Sequence, residues 1–495
     1  MHLSILLWLP FAAAVIGLLL PGGLPRLTMV AGALATLVLA VILVVDFDTG
    51  ARGLQNVTDE TWIAELGIHY KLGVDGLNLF LILLTAALFL ASAVWSALGE
   101  WERPRLYYFW LGLAESGVLG ALMAQDLALF VVFFDLMLVP FLFLTGTWGG
   151  PDRVPAIIKL FIYTLVGSLL MLAAAIATGV LAPGEGTTFV LSDLVQRRLP
   201  EGSQDWIFLC FAAAFLVKMP AFPLHGWMPD GYRAMPLPVL AVFSGILSKV
   251  AAYGFLRVVL PLYPDASVRF QELLLLIALA SILYGSAMAF TTTHTRLILG
   301  YSSVAQLGFI VLGIFALEPE GAQGAVIQAV NHGLVVAPAF FIVGLLAARA
   351  GSEDLRDMGG LAFRAPVLAG MFLIVTLAIL AMPGSSNFVG EFLILLGVFK
   401  AKIVIALVAF SGVVMASVYA LRMFIRSMHN RVAPNASSRE MTVRDGFVLA
   451  PLVAAILALA LYPQVALHKG ERSVTQSIQA AQQAQGQGQQ AGVRP

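Results

Sequence analysis

The chain has 495 residues, of which 60% are hydrophobic and only 11% are charged, and its formal net charge is zero. Together with a mean hydropathy of +0.92, this composition excludes an ordinary soluble domain, and the lack of net charge leaves no global field to attract nucleic acid. The single cysteine, Cys210, excludes an intrachain disulfide and a cysteine-ligated metal or iron–sulfur cluster.

Apolar runs recur along almost the whole chain, and most reach the roughly 20 residues that a helix needs to cross a bilayer. The first run lacks a basic start and a small-residue cleavage site, so we expect a retained helix rather than a signal peptide. We predict an all-α integral membrane protein with about 14 transmembrane helices. Their expected limits are 3–20, 26–46, 74–98, 106–124, 126–148, 155–181, 206–230, 237–262, 270–293, 295–317, 322–349, 366–399, 402–427 and 445–463.

Arginine and lysine concentrate in one set of connections between these spans, for example at Arg153, Arg233 and Arg296. Connections rich in basic residues stay on the cytoplasmic side of the membrane. This rule predicts that both chain termini lie outside, on the same side as the longer loops 47–73 and 182–205.

Helix-breaking residues cluster in two of the predicted spans. The seventh span carries two prolines within residues 218–223, and the twelfth carries a Pro-Gly pair at 383–384. Irregular backbone at membrane depth survives only where it is buried in protein or lines a wet cavity. We therefore expect the seventh and twelfth helices to be discontinuous, each built as two half-helices.

The broken helices also indicate an internal repeat. The fourth to eighth spans and the ninth to thirteenth spans each place a broken helix in fourth position, which is typical of inverted-repeat transporters. Because five spans make each unit, the second unit enters the membrane from the opposite side. The predicted domains are the N-terminal helices 1–3, the first five-helix repeat, the second inverted repeat, a loop with helix 14, and a disordered Gln-rich tail. Their limits are 1–105, 106–262, 270–427, 428–470 and 471–495. A short surface helix in the first half of the tail is the alternative to disorder.

Four ionisable residues interrupt long apolar stretches: Asp135, Lys218, Lys249 and Glu391. A charge in hydrocarbon costs from about 3 kcal/mol to well over 10, so such residues usually mark an ion or substrate path. Charges beside broken helices, twice in one chain, indicate transport rather than anchoring. A purely structural membrane scaffold would leave these charges without a purpose.

Lys218 precedes Pro220 and Pro223, whose missing N–H groups free carbonyls at that depth. An ion pair with Asp135, in the middle of the fifth span, would explain how both charges tolerate the membrane. The alternative is a structural lysine that fills a helix kink. Lys249 lies too far from the ends of its span to reach water by extending along the helix, so we expect it to face inward.

The remaining candidates each have a plain structural alternative. Glu115 is either a secondary relay residue or a helix–helix hydrogen-bond partner. His332, between the two halves of the array, is either a proton carrier or a packed core residue. His225 lies just after the first break, and Asp230 either pairs with it or caps the next helix. Glu391 follows the second break, where a carboxylate would end a relay that begins with an amine.

Several stretches resemble the antiporter-like subunits of respiratory NADH:quinone oxidoreductase, complex I, and in particular those of the M type. They are the motifs at 133–140, 217–230, 300–308 and 387–392. The resemblance covers nearly the whole chain. It implies that Asp135 and Lys218 form a controlling ion pair, that Lys249 and His332 connect the halves, and that Glu391 is the terminal site.

The resemblance also implies the setting of the chain. We expect a proton-translocating subunit in the cell inner (plasma) membrane, beside L-type and N-type antiporter-like subunits and a redox peripheral arm. NADH, FMN, iron–sulfur clusters and quinone are expected in those other subunits. The sequence has no phosphate-binding loop, nucleotide fingerprint or paired-histidine metal helix, so we predict no metal, cofactor or redox site in this chain.

Two residues depart from the pattern of the family. Asp135 stands where the family usually has a glutamate, so the pair with Lys218 is expected to be longer, water-bridged or reached by a local helix shift. Gln306 stands where many relatives have histidine, which predicts water around Gln306 in place of a titrating ring. The rival interpretation is a subunit of an Mrp-type Na⁺/H⁺ antiporter or of a membrane-bound hydrogenase. Glu391 disfavours the Mrp type, which has a lysine there.

Overall fold

The computed structural model describes residues 2–51, 53–430, 432, 437 and 439–492, with side chains described as far as residue 487. Within these ranges the chain is mostly helical. The first helices are α1 (Leu3–Leu19), α2 (Leu24–Asp46), α3 (Leu79–Ala97), α4 (Pro104–Met123), α5 (Leu127–Leu136), α6 (Val139–Trp148), α7 (Arg153–Leu181) and α8 (Leu191–Gln196). The next are α9 (Glu201–Lys218), α10 (Met228–Ala234), α11 (Leu237–Val242), α12 (Ser248–Gly254), α13 (Leu260–Leu262) and α14 (Pro264–Arg269). The last are α15 (Gln271–Thr291), α16 (Thr295–Phe315), α17 (Pro319–Ala350), α18 (Pro366–Ile379), α19 (Ser386–Ala401), α20 (Ile403–Met428), α21 (Val443–Leu461) and α22 (Gln464–Gly492).

Eleven helical stretches in the described part of the chain are long and apolar enough to cross a membrane, and two shorter helices, α1 and α18, are apolar as well. The all-α membrane fold is therefore confirmed. The number of 14 spans and the inverted repeat stay predictions. The most apolar parts of the stretch 237–262 and of helix α16 are entirely buried, whereas α7 and α20 turn most of their apolar surface outward, where lipid is expected.

Both predicted helix breaks are present. Helix α9 ends at Lys218 and α10 begins at Met228, with the two prolines in between. Helix α18 ends at Ile379 and α19 begins at Ser386, and Gly384 between them has φ of +94°, a conformation that glycine adopts without a steric penalty.

Two further irregularities were not predicted. The fifth span divides into α5 and α6 around Met137, just ahead of Pro140. The eighth span contains two π-helical segments, Phe243–Leu247 and Phe255–Val259, on either side of α12. Such segments interrupt the regular α-helical hydrogen bonding and often mark functional positions.

The loop predicted over 47–73 folds into an antiparallel hairpin of β1 (Gln55–Ile63) and β2 (Ile68–Val74). Most of β1 is polar or exposed, so its sequence carries no apolar alternation that would indicate a half-buried strand. The turn is fixed by Gly67, whose φ is +64° and whose hydrogen faces the Thr187 carbonyl so closely that a Cβ would lie 2.1 Å from that oxygen.

The predicted disordered tail, 471–495, is wrong for residues 471–492, which belong to helix α22. Residues 493–495 lie outside the described part. Three small or apolar side chains at helical spacing, Val474, Ile478 and Ala481, are buried against the protein. Lys469 near the start of the helix donates to the carbonyl of Val44 at 3.0 Å. The tail is too polar to build a core, but one narrow apolar stripe suffices once the rest of the fold supplies a surface.

Candidate functional site

The first broken helix ends in a direct ion pair. Lys218, the last residue of α9, places its Nζ 3.1 Å from Oδ1 of Asp135 on α5. The same ammonium donates to the Phe134 carbonyl at 2.7 Å and lies 3.7 Å from the centre of the Phe134 ring. The predicted pairing is therefore present in the structure, and it is direct rather than water-bridged.

The Phe134 carbonyl is available because α5 stops early. In a continuous helix the N–H of Leu138 would reach back four residues to Phe134. Here that N–H donates to the Asp135 carbonyl at 3.1 Å instead. Pro140 has no N–H to continue the ladder. Lys218 thus uses a carbonyl freed by the break in α5, whereas the sequence suggested carbonyls freed in its own helix.

Asp135 is held from a second side by α7, whose Ser168 hydroxyl donates to Oδ1 at 2.5 Å. The Asp135 side chain is 34% exposed, whereas the Lys218 side chain is 5% exposed. The acid therefore lies at the outward edge of the pair and the amine lies inside. Because Asp135 is the more exposed member of the pair, a neighbouring subunit can contact it.

Lys249 is fully buried on α12 and donates from Nζ to the Ser244 carbonyl at 2.6 Å. Ser244 belongs to the first π-helical segment, where the widened turn disturbs the regular backbone hydrogen bonds. The irregular turn thus supplies an acceptor for a buried ammonium. Lys249 has no carboxylate within salt-bridge distance in the described residues.

His332 lies in the middle of α17 and is 4% exposed. Its Nδ1 has no hydrogen-bond partner among the described residues. The next residue, Gly333, packs on Gly245 of the first π-helical segment so tightly that a Cβ at Gly333 would lie 2.3 Å from the Gly245 carbonyl. These two glycines let α17 approach the helix that carries Lys249.

The second broken helix presents a different environment. Glu391 on α19 is 3% exposed, and its Oε1 accepts a hydrogen bond from Gln306 Nε2 at 2.7 Å. Gln306 Oε1 in turn accepts from Gln328 Nε2 at 2.8 Å. Gln306 thus contacts the carboxylate directly, and the water expected around it stays a prediction. No cation of the described residues lies within salt-bridge distance of Glu391.

The surroundings of Glu391 are polar but incompletely paired. Glu391 Oε2, Gln328 Oε1, Asn331 Oδ1 and both side-chain polar atoms of Asn387 are buried and lack partners within the described part of the chain. Asn331 Nδ2 donates to the Ser386 carbonyl at the start of α19 at 2.6 Å. Buried polar atoms in such numbers are normally satisfied by water. The interface of α17 and α19 is suited to hold water beside the carboxylate.

The helices that carry the predicted relay pack in sequence. Helix α9 contacts α12, α12 contacts α17, and α17 contacts α19. The structure brings Asp135 and Lys218 into direct contact. It places Lys249, His332 and Glu391 on successive packed helices without a direct hydrogen bond from one to the next.

The secondary candidates have varied surroundings. Glu115 is fully buried on α4, and neither of its carboxyl oxygens has a hydrogen-bond partner among the described residues, so the suggested helix–helix bond is absent there.

His225 packs against the Tyr284 ring with centroids 4.7 Å apart. Asp230 does not pair with His225, because it accepts instead from Lys159 at 2.9 Å and faces Arg233 at 3.4 Å. It lies in the first turn of α10 but does not cap it.

Sequence reasoning missed Ser168, the Phe134 carbonyl and Gln328. Gln328 lies three positions before Asn331 and four before His332 on α17, so a search for polar residues at helical spacing would have indicated Gln328. Nothing in the local sequence indicates that Ser168 faces Asp135. Among the described residues, no three His, Cys, Asp or Glu side chains cluster as metal ligands do.

Comparison with known proteins places these features in a family. Residues 124–417 match the family described as NADH:quinone oxidoreductase/Mrp antiporter, transmembrane. The chain belongs to this family. NADH-quinone oxidoreductase subunit M of Rhodobacter capsulatus is 35% identical over 484 residues, covering 94% of this chain and 93% of that protein. Subunit M of Escherichia coli K12 is 37% identical over 440 residues, covering 85% and 84% of the two chains.

Two solved structures have folds similar to that of this chain. A chain of respiratory complex I from Thermus thermophilus superposes with a TM-score of 0.89 at 31% identity, covering 97% of this chain and all of that one. A chain of the Mrp complex from Dietzia superposes with a TM-score of 0.83 at 22% identity, covering 98% and 99%. The second likeness shows the shared fold alone.

Proposed function

We propose that this chain translocates protons as an antiporter-like membrane-arm subunit of an NADH:quinone oxidoreductase, and that the proton moves along Asp135, Lys218, Lys249, His332 and Glu391. The relatives named subunit M support the first part, since they match nearly the whole chain. The direct Lys218–Asp135 pair at a broken helix is the observation that carries the second part.

The pair acts as the control point of the relay. While Asp135 stays near Lys218, the ammonium is held in place by the carboxylate and by the Phe134 carbonyl. Movement of the exposed acid away from the amine removes the opposite charge, and the buried ammonium then releases its proton more readily. The proton then moves toward the interior of the protein, because Lys218 is the buried member of the pair.

Beyond Lys218 the route follows the packed helices. Lys249 receives the proton at Nζ, and the two ring nitrogens of His332 pass it on toward α19. Water at the α17–α19 interface completes the step to Glu391. The carboxylate holds the proton at the second break, where the unwound segment between α18 and α19 gives access to solvent.

Electron transfer takes place elsewhere in the complex. NADH, FMN, iron–sulfur clusters and quinone belong to other subunits, and the side chains of this chain move protons only. L-type and N-type antiporter-like subunits flank it in the membrane arm, and the redox peripheral arm supplies the driving force. The protein is a multi-pass subunit of the cell inner membrane.

The test is proton pumping by the assembled complex with Glu391→Gln, which keeps the Gln306 contact but cannot carry a proton. We expect the proton-to-electron ratio in inverted membrane vesicles to fall while the complex still assembles. Glu320→Gln is the matched control, because Glu320 pairs with Lys400 at an exposed helix end. An unchanged ratio in an assembled Glu391→Gln complex excludes the relay.

A further inference from the structure

The outer half of the eighth span holds a charge pair that the proposed relay does not use. Arg257, in the second π-helical segment, places Nη2 2.5 Å from Oδ2 of Asp75, which follows strand β2. Their side chains are only 15% and 10% exposed. The Arg257 Nε also donates to the Tyr253 hydroxyl at 3.0 Å. Since arginine stays protonated in proteins, this is a permanent positive charge inside the span.

The position of the pair relates it to Lys249. Tyr253 and Arg257 follow Lys249 by four and eight residues, which puts all three near one face of the helix. Eight residues correspond to about 12 Å along a helix axis. Because this span runs from the basic, cytoplasmic side toward the outer side, Arg257 lies between the buried Lys249 and the outer medium.

A cavity of about 250 Å³ with a mixed lining of apolar and polar side chains lies on the outer side of the pair. Its lining includes Asp75, Arg257 and Gln125, together with three serines and a glutamine from the peripheral helices α8 and α22: Ser192, Ser473, Ser477 and Gln476. At about 30 Å³ per molecule in the liquid, a volume of this size accommodates several waters. The cavity is therefore suited to be a hydrated vestibule that ends at Arg257.

Helix α22 covers this vestibule. The Ser473 hydroxyl accepts a hydrogen bond from the Gly76 N–H at 3.0 Å, one residue after Asp75. A Cβ at Gly76 would lie 2.2 Å from the Lys469 carbonyl, so the backbone of α22 sits directly on this glycine. These contacts hold Asp75 and helix α22 together at the opening of the cavity.

We infer that Arg257, held by Asp75, is a non-titrating barrier that separates Lys249 from a water-filled vestibule on the outer face. The inference rests on the proposed relay, because it assigns Arg257 the task of keeping the proton on the route to Glu391. The guanidinium is not deprotonated in proteins, so it cannot accept a proton and pass it on, and arginine excludes protons in selective pores. Without the barrier, Lys249 exchanges protons with the outer medium and the membrane leaks.

The first test measures the leak. Inverted vesicles that contain the assembled complex with Arg257→Gln are energised with NADH, the complex is then inhibited, and the decay of the pH gradient is followed. We expect the decay to be severalfold faster than in the unmutated complex, because protons from the vestibule then reach Lys249. Arg269→Gln is the control, because Arg269 is half exposed and pairs with Asp205 away from the vestibule.

The second test leaves the Arg257–Asp75 pair intact and does not depend on how the first variant folds. In a chain with Cys210→Ser, single cysteines are placed by Gln125→Cys, in the vestibule, and by Ser248→Cys, beside Lys249. A membrane-impermeant cationic methanethiosulfonate is then added from the outer side of right-side-out vesicles. We expect modification at position 125 and protection at position 248.

The outcomes are distinct. Any one of three results overturns the barrier. They are an unchanged decay in an assembled Arg257→Gln complex, an unreactive cysteine at 125, and equal reactivity of the cysteines at 125 and 248. The leak is measured without turnover, so it is independent of the pumping ratio. A fast leak together with normal pumping by Glu391→Gln would support the barrier at Arg257 while excluding the route to Glu391.

Discussion

The two broken helices position one ionisable residue each, in opposite electrostatic surroundings. At the first break, Lys218 ends a half-helix and meets a carboxylate from another helix 3.1 Å away. At the second break, Glu391 lies inside the second half-helix, and among the described residues its hydrogen-bond partner is the amide of Gln306, at 2.7 Å. The first site is a charge pair with one exposed member, whereas the second is a single acid in a buried amide cluster.

This difference indicates separate tasks. A charge pair responds to the movement of either member, because opposite charges at contact distance interact strongly in a low dielectric. An acid among neutral amides has no such partner to lose, and its proton occupancy depends on the supply of protons and water. The first break is therefore suited to receive a signal from outside the chain, and the second to hold the proton that the signal releases.

The largest effect is expected from Lys218→Met, which keeps most of the side-chain volume but removes the amine. Asp135 is then left without its cation, and the relay loses its first carrier. We expect this subunit's contribution to the proton-to-electron ratio of the complex to fall about tenfold or more, within the range of coupling between linked sites. The measurement is acridine-dye quenching in vesicles, and Lys400→Met, at an exposed helix end, should leave quenching unchanged.

A sharper test of the comparison replaces the acid. Asp135→Asn keeps the shape but removes the charge, so coupling should be impaired, whereas Asp135→Glu keeps the charge and should be well tolerated. Both are measured by the pumping ratio at equal amounts of assembled complex. Equal activity of the two variants would mean that the carboxylate charge has no part in control.

At the second break, Gln306→Leu removes the hydrogen-bond donor that Glu391 Oε1 has among the described residues. A buried acceptor left without a donor costs about 1–3 kcal/mol. We therefore expect a lower thermal midpoint of the purified complex and a moderate loss of pumping, smaller than that of Lys218→Met. Gln323→Leu, which removes a bond to the Leu467 carbonyl away from Glu391, is the control. A larger pumping loss than that of Lys218→Met would reverse the proposed division of tasks.

The smallest effect concerns the connection between α17 and α18. Hydrogen bonds from Arg356 hold the pKa of Asp354 well below its usual range. Because the pKa is lowered in the folded state, the stabilisation is present above the unfolded value of about 3.9 and is lost as the pH falls through the folded value. Asp354→Asn should lower the thermal midpoint slightly at neutral pH, and the difference from the unmutated protein should shrink in strong acid.

The sequence by itself determined the membrane class and both broken helices, and it selected Asp135, Lys218, Lys249, His332 and Glu391 as candidate relay residues. These signals are local, because a long apolar run, a proline in it and a charge in it are each visible without knowing what lies opposite. The membrane makes them reliable, since backbone and charge in hydrocarbon have few permitted solutions.

Only the tertiary structure decided the partners of those residues. Ser168, the Phe134 carbonyl and Gln328 come from helices whose rotation is set by packing, and the Arg257–Asp75 pair joins residues far apart in the chain. Helix α22 formed against expectation for the same reason, because its narrow apolar stripe gains stability only from the surface beneath it. The composition indicates which side chains must be buried, and the packing of the whole chain decides which partners they contact.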